Sequence, residues 1–178
     1  VTVESGIITK NVYGGSCGGT LNGDTQVVVK GGTVGWVYGG GEGCTVGATH
    51  IQLLGAPDDW CNVYGGGNGG SVQYAHLEVR DLSQSPVLDL YGGGWNDATE
   101  QVDITIGGNC NLSTSDPIYA ANPYDTSGTV GSASFTIDHF ELFNDSVATA
   151  TTVCGPLVGT DVTGDVTVCV TGSGEPSK

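Results

Sequence analysis

Apolar residues along this chain recur on two scales. Over four residues they alternate. In Val27-Val28-Val29-Lys30, Ile51-Gln52-Leu53-Leu54, Leu77-Glu78-Val79-Arg80 and Ile104-Thr105-Ile106-Gly107 the first and third positions stay apolar while the second varies freely. Residues two apart share one face of a strand but lie on opposite sides of a helix, so these segments are strands. Aligned, they predict two inward columns: Val27, Ile51, Leu77 and Ile104, then Val29, Leu53, Val79 and Ile106.

On the longer scale an apolar residue, a tyrosine and two glycines return as Val12-Tyr13-Gly14-Gly15, Val37-Tyr38-Gly39-Gly40, Val63-Tyr64-Gly65-Gly66 and Leu90-Tyr91-Gly92-Gly93. Ile118-Tyr119-Ala120-Ala121 reads as a decayed fifth copy. The tyrosines fall 25, 26, 27 and 28 residues apart. A unit that short cannot bury an apolar face alone and must lean on its neighbours. Each strand then pairs in parallel with its copy one coil on. The expectation is a single all-β domain, a single-stranded parallel β-helix of about 26 residues per coil and roughly six coils. A β-sandwich also uses short strands and turns, but it does not require one tetrapeptide at a fixed period.

Within residues 1–171, Val1, Val3 and Ile7-Ile8 suggest a cap strand over 1–10, because an open solenoid end is a sheet edge seeking a partner. Each coil divides into the V-Y-G-G piece, a small G-x-V piece and the alternating strand. The corner glycines suit positive φ or a backbone approach too close for a Cβ. Residues 109–128, with Pro117 and Pro123, are polar and read as a loop insertion. The pattern recovers at Thr129-Val130-Gly131 and the apolar stretch from Phe135 to Phe143. Residues 144–171 close the stack, and 172–178 read as a flexible tail or linker.

The charge balance changes the choice of partners. Four Lys and Arg against 19 Asp and Glu give a formal charge of -15 in 178 residues. Such a surface repels phosphate backbones and anionic headgroups, so nucleic acid is an unsuitable partner, and no apolar run is long enough for direct membrane insertion. Six cysteines, Cys17, Cys44, Cys61, Cys110, Cys154 and Cys169, form an even set without a C-x-x-C pair. They read as disulfide candidates, with Cys17–Cys44 and Cys154–Cys169 as the suggested pairs, and point to an oxidising, extracellular setting. The start at Val1, without a charged-then-apolar leader, is expected of a processed chain or a fragment.

Thr33-Val34-Gly35-Trp36-Val37-Tyr38-Gly39-Gly40-Gly41 and Ile104-Thr105-Ile106-Gly107-Gly108 resemble the Gly-rich V-Y-G-G-G surface-protein repeats of large secreted proteins from gut Firmicutes and related bacteria. The likeness covers about residues 11 to 108. It implies a β-solenoid in a structural or adhesive role at the cell surface.

Parallel β-helices also carry polysaccharide-degrading sites, yet the base inventory here is thin. Arg80 is the only arginine, and its neighbours Glu78 and Asp81 suit a salt bridge. Asp58-Asp59, Asp138 and Glu141 are available as paired carboxyls, which an acidic chain supplies without a catalytic reason. His50 and His76 each precede the first inward strand position, with Asp103 in the same column one coil on. Stacked imidazoles beside a carboxylate suit a divalent metal in principle, while the simpler reading, and the one preferred, is an exposed polar ladder. Tyr38, Tyr64 and Tyr91, with Trp36 and Trp95 near the same corners, suit either a glycan-gripping column or a structural stack. The sequence therefore supports a non-enzymatic extracellular structural or adhesive module without a cofactor, self-associating through its coil ends. Binding of a glycan or host surface is the alternative, and a polysaccharide-degrading enzyme ranks third.

Overall fold

The computed structural model of the chain describes residues 1–55, 61–80, 88–107, 118–122, 127–138, 153–154, 161–162 and 165–171. Among the described residues fifteen strands, numbered in chain order, fall into two parallel sheets. The larger holds β1 (Thr2–Val3), β3 (Cys17–Leu21), β4 (Thr25–Val29), β6 (Glu42–Leu53), β8 (Asn68–Arg80), β10 (Trp95–Gly107), β12 (Thr129–Asp138), β14 (Asp161–Val162) and β15 (Val166–Thr171). The smaller runs β13 (Val153–Cys154), β11 (Ile118–Tyr119), β9 (Leu88–Tyr91), β7 (Cys61–Tyr64), β5 (Thr33–Tyr38) and β2 (Ile7–Tyr13). The chain alternates between the sheets and each strand pairs with its copy one coil on, which is a parallel β-solenoid of about four turns.

Both inward columns form. Val27, Ile51, Leu77 and Ile104 are in register and buried, and so are Val29, Leu53, Val79 and Ile106. Phe135 of β12 and Val168 of β15 extend the register of the first column. Val12, Val37, Val63 and Leu90 from the smaller sheet face the same core.

After the second, third and fourth corners the two sequence pieces form one long strand with a bend, whereas after the first they stay separate as β3 and β4. Along β6 the buried positions are Cys44 and Val46, then Thr49, Ile51 and Leu53, so the alternation slips by one at Gly47-Ala48. The same slip occurs at Gln73-Tyr74 in β8 and Glu100-Gln101 in β10. The slips fall in register on successive coils, so the strands stay paired on both sides of them. The cap predicted over 1–10 is divided: β1 joins the larger sheet and β2 the smaller.

Within the predicted insertion, Ile118-Tyr119-Ala120-Ala121-Asn122 is a buried corner in the smaller sheet, the fifth copy of the motif. The remainder of that loop up to Thr126, and the 172–178 tail, lie outside the described residues. Beyond residue 138 only β13, β14 and β15 of the expected closing strands are described, and all pair in parallel with the coil before. Among the described residues no helix is long and apolar enough to cross a membrane.

The corner glycines serve close approach. None of Gly14, Gly39, Gly65 or Gly92 has positive φ, and a Cβ on Gly65 would stand 2.2 Å from the Gly92 carbonyl oxygen. Opposite them, inside the coil, Thr25 Oγ1 donates to the Gly39 carbonyl and Thr49 Oγ1 to that of Gly65, each at 2.6 Å.

Two substitutions test this packing. Leu77→Asp places an unpaired carboxylate in the core and is expected to abolish folding, at several kcal/mol or more. Gly65→Ala should cost roughly 1–3 kcal/mol through the clash with the next coil, measured by denaturant unfolding. Wild-type stability for Gly65→Ala would refute the close approach.

Candidate functional site

Alternation places Trp36 and Tyr38 on the face of β5 opposite Val37, and the same holds for Asn62 and Tyr64 about Val63. Parallel register then builds two columns on that face. One is Asn11, Trp36, Asn62 and Asp89; the other is Tyr13, Tyr38, Tyr64, Tyr91 and Tyr119. The tyrosine rings stack at 5.0, 4.7, 4.8 and 5.8 Å with interplanar angles of 11° or less.

This ladder is enclosed. Tyr38 is 0% exposed, and Tyr64, Tyr91 and Tyr119 are also buried. The rings Tyr38, Tyr64 and Tyr91, candidates for either a glycan-gripping column or a structural stack, form the stack, which occupies their faces. Trp36 and Trp95 cover them. Trp36 meets Tyr38 and Tyr64 edge to face at 6.4 and 6.2 Å, Trp95 meets Tyr64 in the same way at 6.4 Å, and the two indoles stack at 6.2 Å and 26°.

Polar groups beneath the indoles are unevenly satisfied. Asn11 and Asn68 donate to the Tyr13 hydroxyl at 3.0 and 3.2 Å. Tyr38 Oη and Asn62 Oδ1 are buried with no hydrogen-bond partner among the described residues. Burial, then the neighbouring Tyr64 and Tyr13, push the Tyr38 phenol well above its ordinary value. Burial likewise raises Tyr64 against the lowering effect of a hydrogen bond from Asn62.

The outer face of the larger sheet carries the second group of candidates. His50, His76 and Asp103 do share a column, continued by Ser134, and the imidazole centroids are 5.9 Å apart. They are not brought together as a metal centre. Asp103 accepts from Tyr74 Oη at 2.6 Å and from Ser134 Oγ, so hydroxyls occupy both carboxylate oxygens. Among the described residues no three His, Cys, Asp or Glu side chains are placed to hold an ion. Burial, and then Asp103 through its hydrogen bond and charge, push the Tyr74 phenol up to about 12.

Arg80 pairs with Glu78, which also accepts from Gln52 at 2.8 Å. Burial alone would raise the Glu78 carboxyl. The hydrogen bonds from Gln52 and Arg80, with the charges of Arg80 and His76, outweigh it and hold the group below the ordinary carboxylate range.

The suggested Cys17–Cys44 bridge is not formed. Cys17 is an exposed thiol in register with Glu42, whereas Cys44 is buried in the core with its sulfur 3.1 Å from Ser16 Oγ. Cys61 is also an unbonded buried thiol, pushed up to about 12 by burial and then by Asp89. Cys154 lies in β13 of the smaller sheet and Cys169 in β15 of the larger; Cys110, Asp58, Asp59, Asp81 and Glu141 lie outside the described residues.

The buried polar residues Asn62, Asp89 and Thr99 escaped the sequence reading, and Asp97 is buried with them. Asp97 accepts from the Gly67 amide at 3.0 Å and from Thr99 at 2.9 Å, anchoring a corner. A signal for the first two was present, because Asn, Trp, Asn and Asp stand two residues before successive tyrosines. No family model, curated protein or solved structure matches the chain.

Two outcomes are expected of the ladder. Tyr38→Phe removes a buried hydroxyl without a partner and should leave stability unchanged or raise it by up to about 1–2 kcal/mol, whereas Tyr38→Ala should cost about 3–5 kcal/mol. The raised phenols set the alkaline limit. A proton retained in the folded state and lost in the unfolded one stabilises fully below the ordinary tyrosine value near 10. That contribution is lost as pH rises through the folded values, so unfolding should set in above about pH 10 together with phenolate absorbance. Phenolate formation at Tyr38 or Tyr64 near the ordinary value in a still-folded chain would contradict the enclosure.

Proposed function

We propose that this chain is a non-enzymatic, extracellular structural or adhesive module: a stiff solenoid that associates end to end. The observation that carries the reading is the enclosed tyrosine column. The side chain that recurs at five successive corners joins coil to coil, its ring faces taken up by its neighbours. Likeness to secreted Gly-rich surface repeats supports the same role, with the strands after Asp138 bringing the stack to roughly six coils.

End association follows from the edges. Among the described residues β2 pairs only with β5 and β3 only with β6, so each has one side without a strand partner. Ile7 is 76% exposed on that end, and Val1 is exposed with it. The first coil carries Lys10 and Lys30, half the basic residues of an acidic chain, while Asp161 and Asp165 flank the last described strands. A neutral end meeting an acidic one gives a heterologous contact, which propagates as a filament unless the rotation closes.

Sedimentation velocity across a concentration series, with negative-stain microscopy, tests this. Growing head-to-tail oligomers are expected, reduced by Ile7→Lys and by salt. A monomer at all concentrations would overturn end association, and release of unsaturated sugars from a polysaccharide would overturn the non-enzymatic assignment.

A further inference from the structure

We propose that Trp36 and Trp95, without the tyrosines, form a shelf that binds a neutral oligosaccharide lying along the solenoid axis. The inference is independent of end association. Trp36 stands one coil after Asn11 in its column, and Trp95 ends the column that starts at Cys17 and passes through Glu42 and Asn68. Parallel register thus sets the indoles two coils apart along the axis, yet both rings lean into one stack at 26°. Trp36 remains 39% exposed, the most accessible aromatic ring among the described residues whose exposure stands above the buried range.

Two indoles in contact, one of them more than a third exposed and bordered by polar side chains, offer a sugar an aromatic surface to pack on. An indole face is electron-rich, and the polarised C–H groups of a pyranose ring pack against it while the sugar's hydroxyls reach sideways. Those hydroxyls find acceptors and donors on the rim: exposed Glu42 and Asn11, and half-buried Asn68. Beneath the shelf lie two buried polar atoms without partners, Tyr38 Oη and Asn62 Oδ1, the latter in register with Trp36 itself. A partner for either atom would have to come from the indole side, because stacking closes the tyrosine ring faces.

Charge selects the class of glycan. The two columns hold Glu42 and Asp89 and no Lys or Arg, within a chain of formal charge -15. Uronate or sulfate groups are repelled, and a neutral glycan is not.

The test uses the intact chain. Galactomannan and xyloglucan serve as neutral probes in affinity electrophoresis, with polygalacturonate as the anionic control. Trp36 oxidation by N-bromosuccinimide is followed by peptide mass spectrometry with and without the probe. Retardation by a neutral probe is expected, with Trp36 oxidation slowed about tenfold and binding weakened at least about tenfold in Trp36→Ala. Trp36→Phe keeps a ring over the ladder and should retain most of the binding, which separates loss of the shelf from loss of the fold. Failure of both neutral probes to retard the chain overturns the proposal. So does binding that leaves Trp36 oxidation unchanged, or retardation by polygalacturonate alone. An unaltered sedimentation profile beside any of these results leaves end association standing.

Discussion

At each corner the glycine after the tyrosine lies against the carbonyl of its counterpart one coil on. A Cβ on Gly14, Gly39 or Gly65 would come within 2.2, 2.3 and 2.2 Å of that oxygen. The contact is possible only without a side chain, and it fixes the distance between coils where the chain turns from the smaller sheet to the larger. The amides beside it complete the ladder: Gly39 N–H donates to Tyr64 O and Gly65 N–H to Tyr91 O. With the corners held at strand spacing, the tyrosines just before them must stack, and they do so at 4.7 to 5.0 Å over the first four rings. Where Ala120 replaces the glycine, the step opens to 5.8 Å.

The other features follow from that spacing. Parallel register converts any residue repeated in the sequence into a column, so a repeated valine becomes core and a repeated tyrosine becomes a stack. Each such ring pair adds about 0.5–1.5 kcal/mol beyond its burial. Threonines brace the first corners from inside, and Asp97 braces a later one by accepting the Gly67 amide. The external columns are under weaker constraint. His50, His76 and Asp103 occupy one of them as a hydroxyl-linked polar ladder.

Fold was more legible than site because periodicity survives in one dimension. The inward columns around Ile51 and Leu77 follow from alternation and the 26-residue step, and the register reproduces them residue by residue. Alternation also put Tyr38 and Trp36 on one face, but whether that face is open depends on what crosses it. Trp95 arrives there from another sheet two coils away, a contact no local spacing encodes. The cysteines turn on register: Cys17 stands four residues after its tyrosine and Cys44 six, so Cys17 lies beside exposed Glu42 and Gly19 beside Cys44, which leaves one thiol outside and the other in the core. The slip at Gly47-Ala48 was hidden because both residues are small and neither breaks an apolar run.

Residue-resolved amide hydrogen exchange at low and high protein concentration tests the central claim, a solenoid whose corners and tyrosine column form one cooperative unit with an open first edge. The corner amides of Gly39, Gly65 and Gly92 are predicted to exchange together at the slowest rate in the chain, while amides on the outer side of β2 exchange fast in dilute solution and gain protection as concentration rises. Fast exchange at the corners, or slow exchange confined to the long strands of the larger sheet, would contradict it.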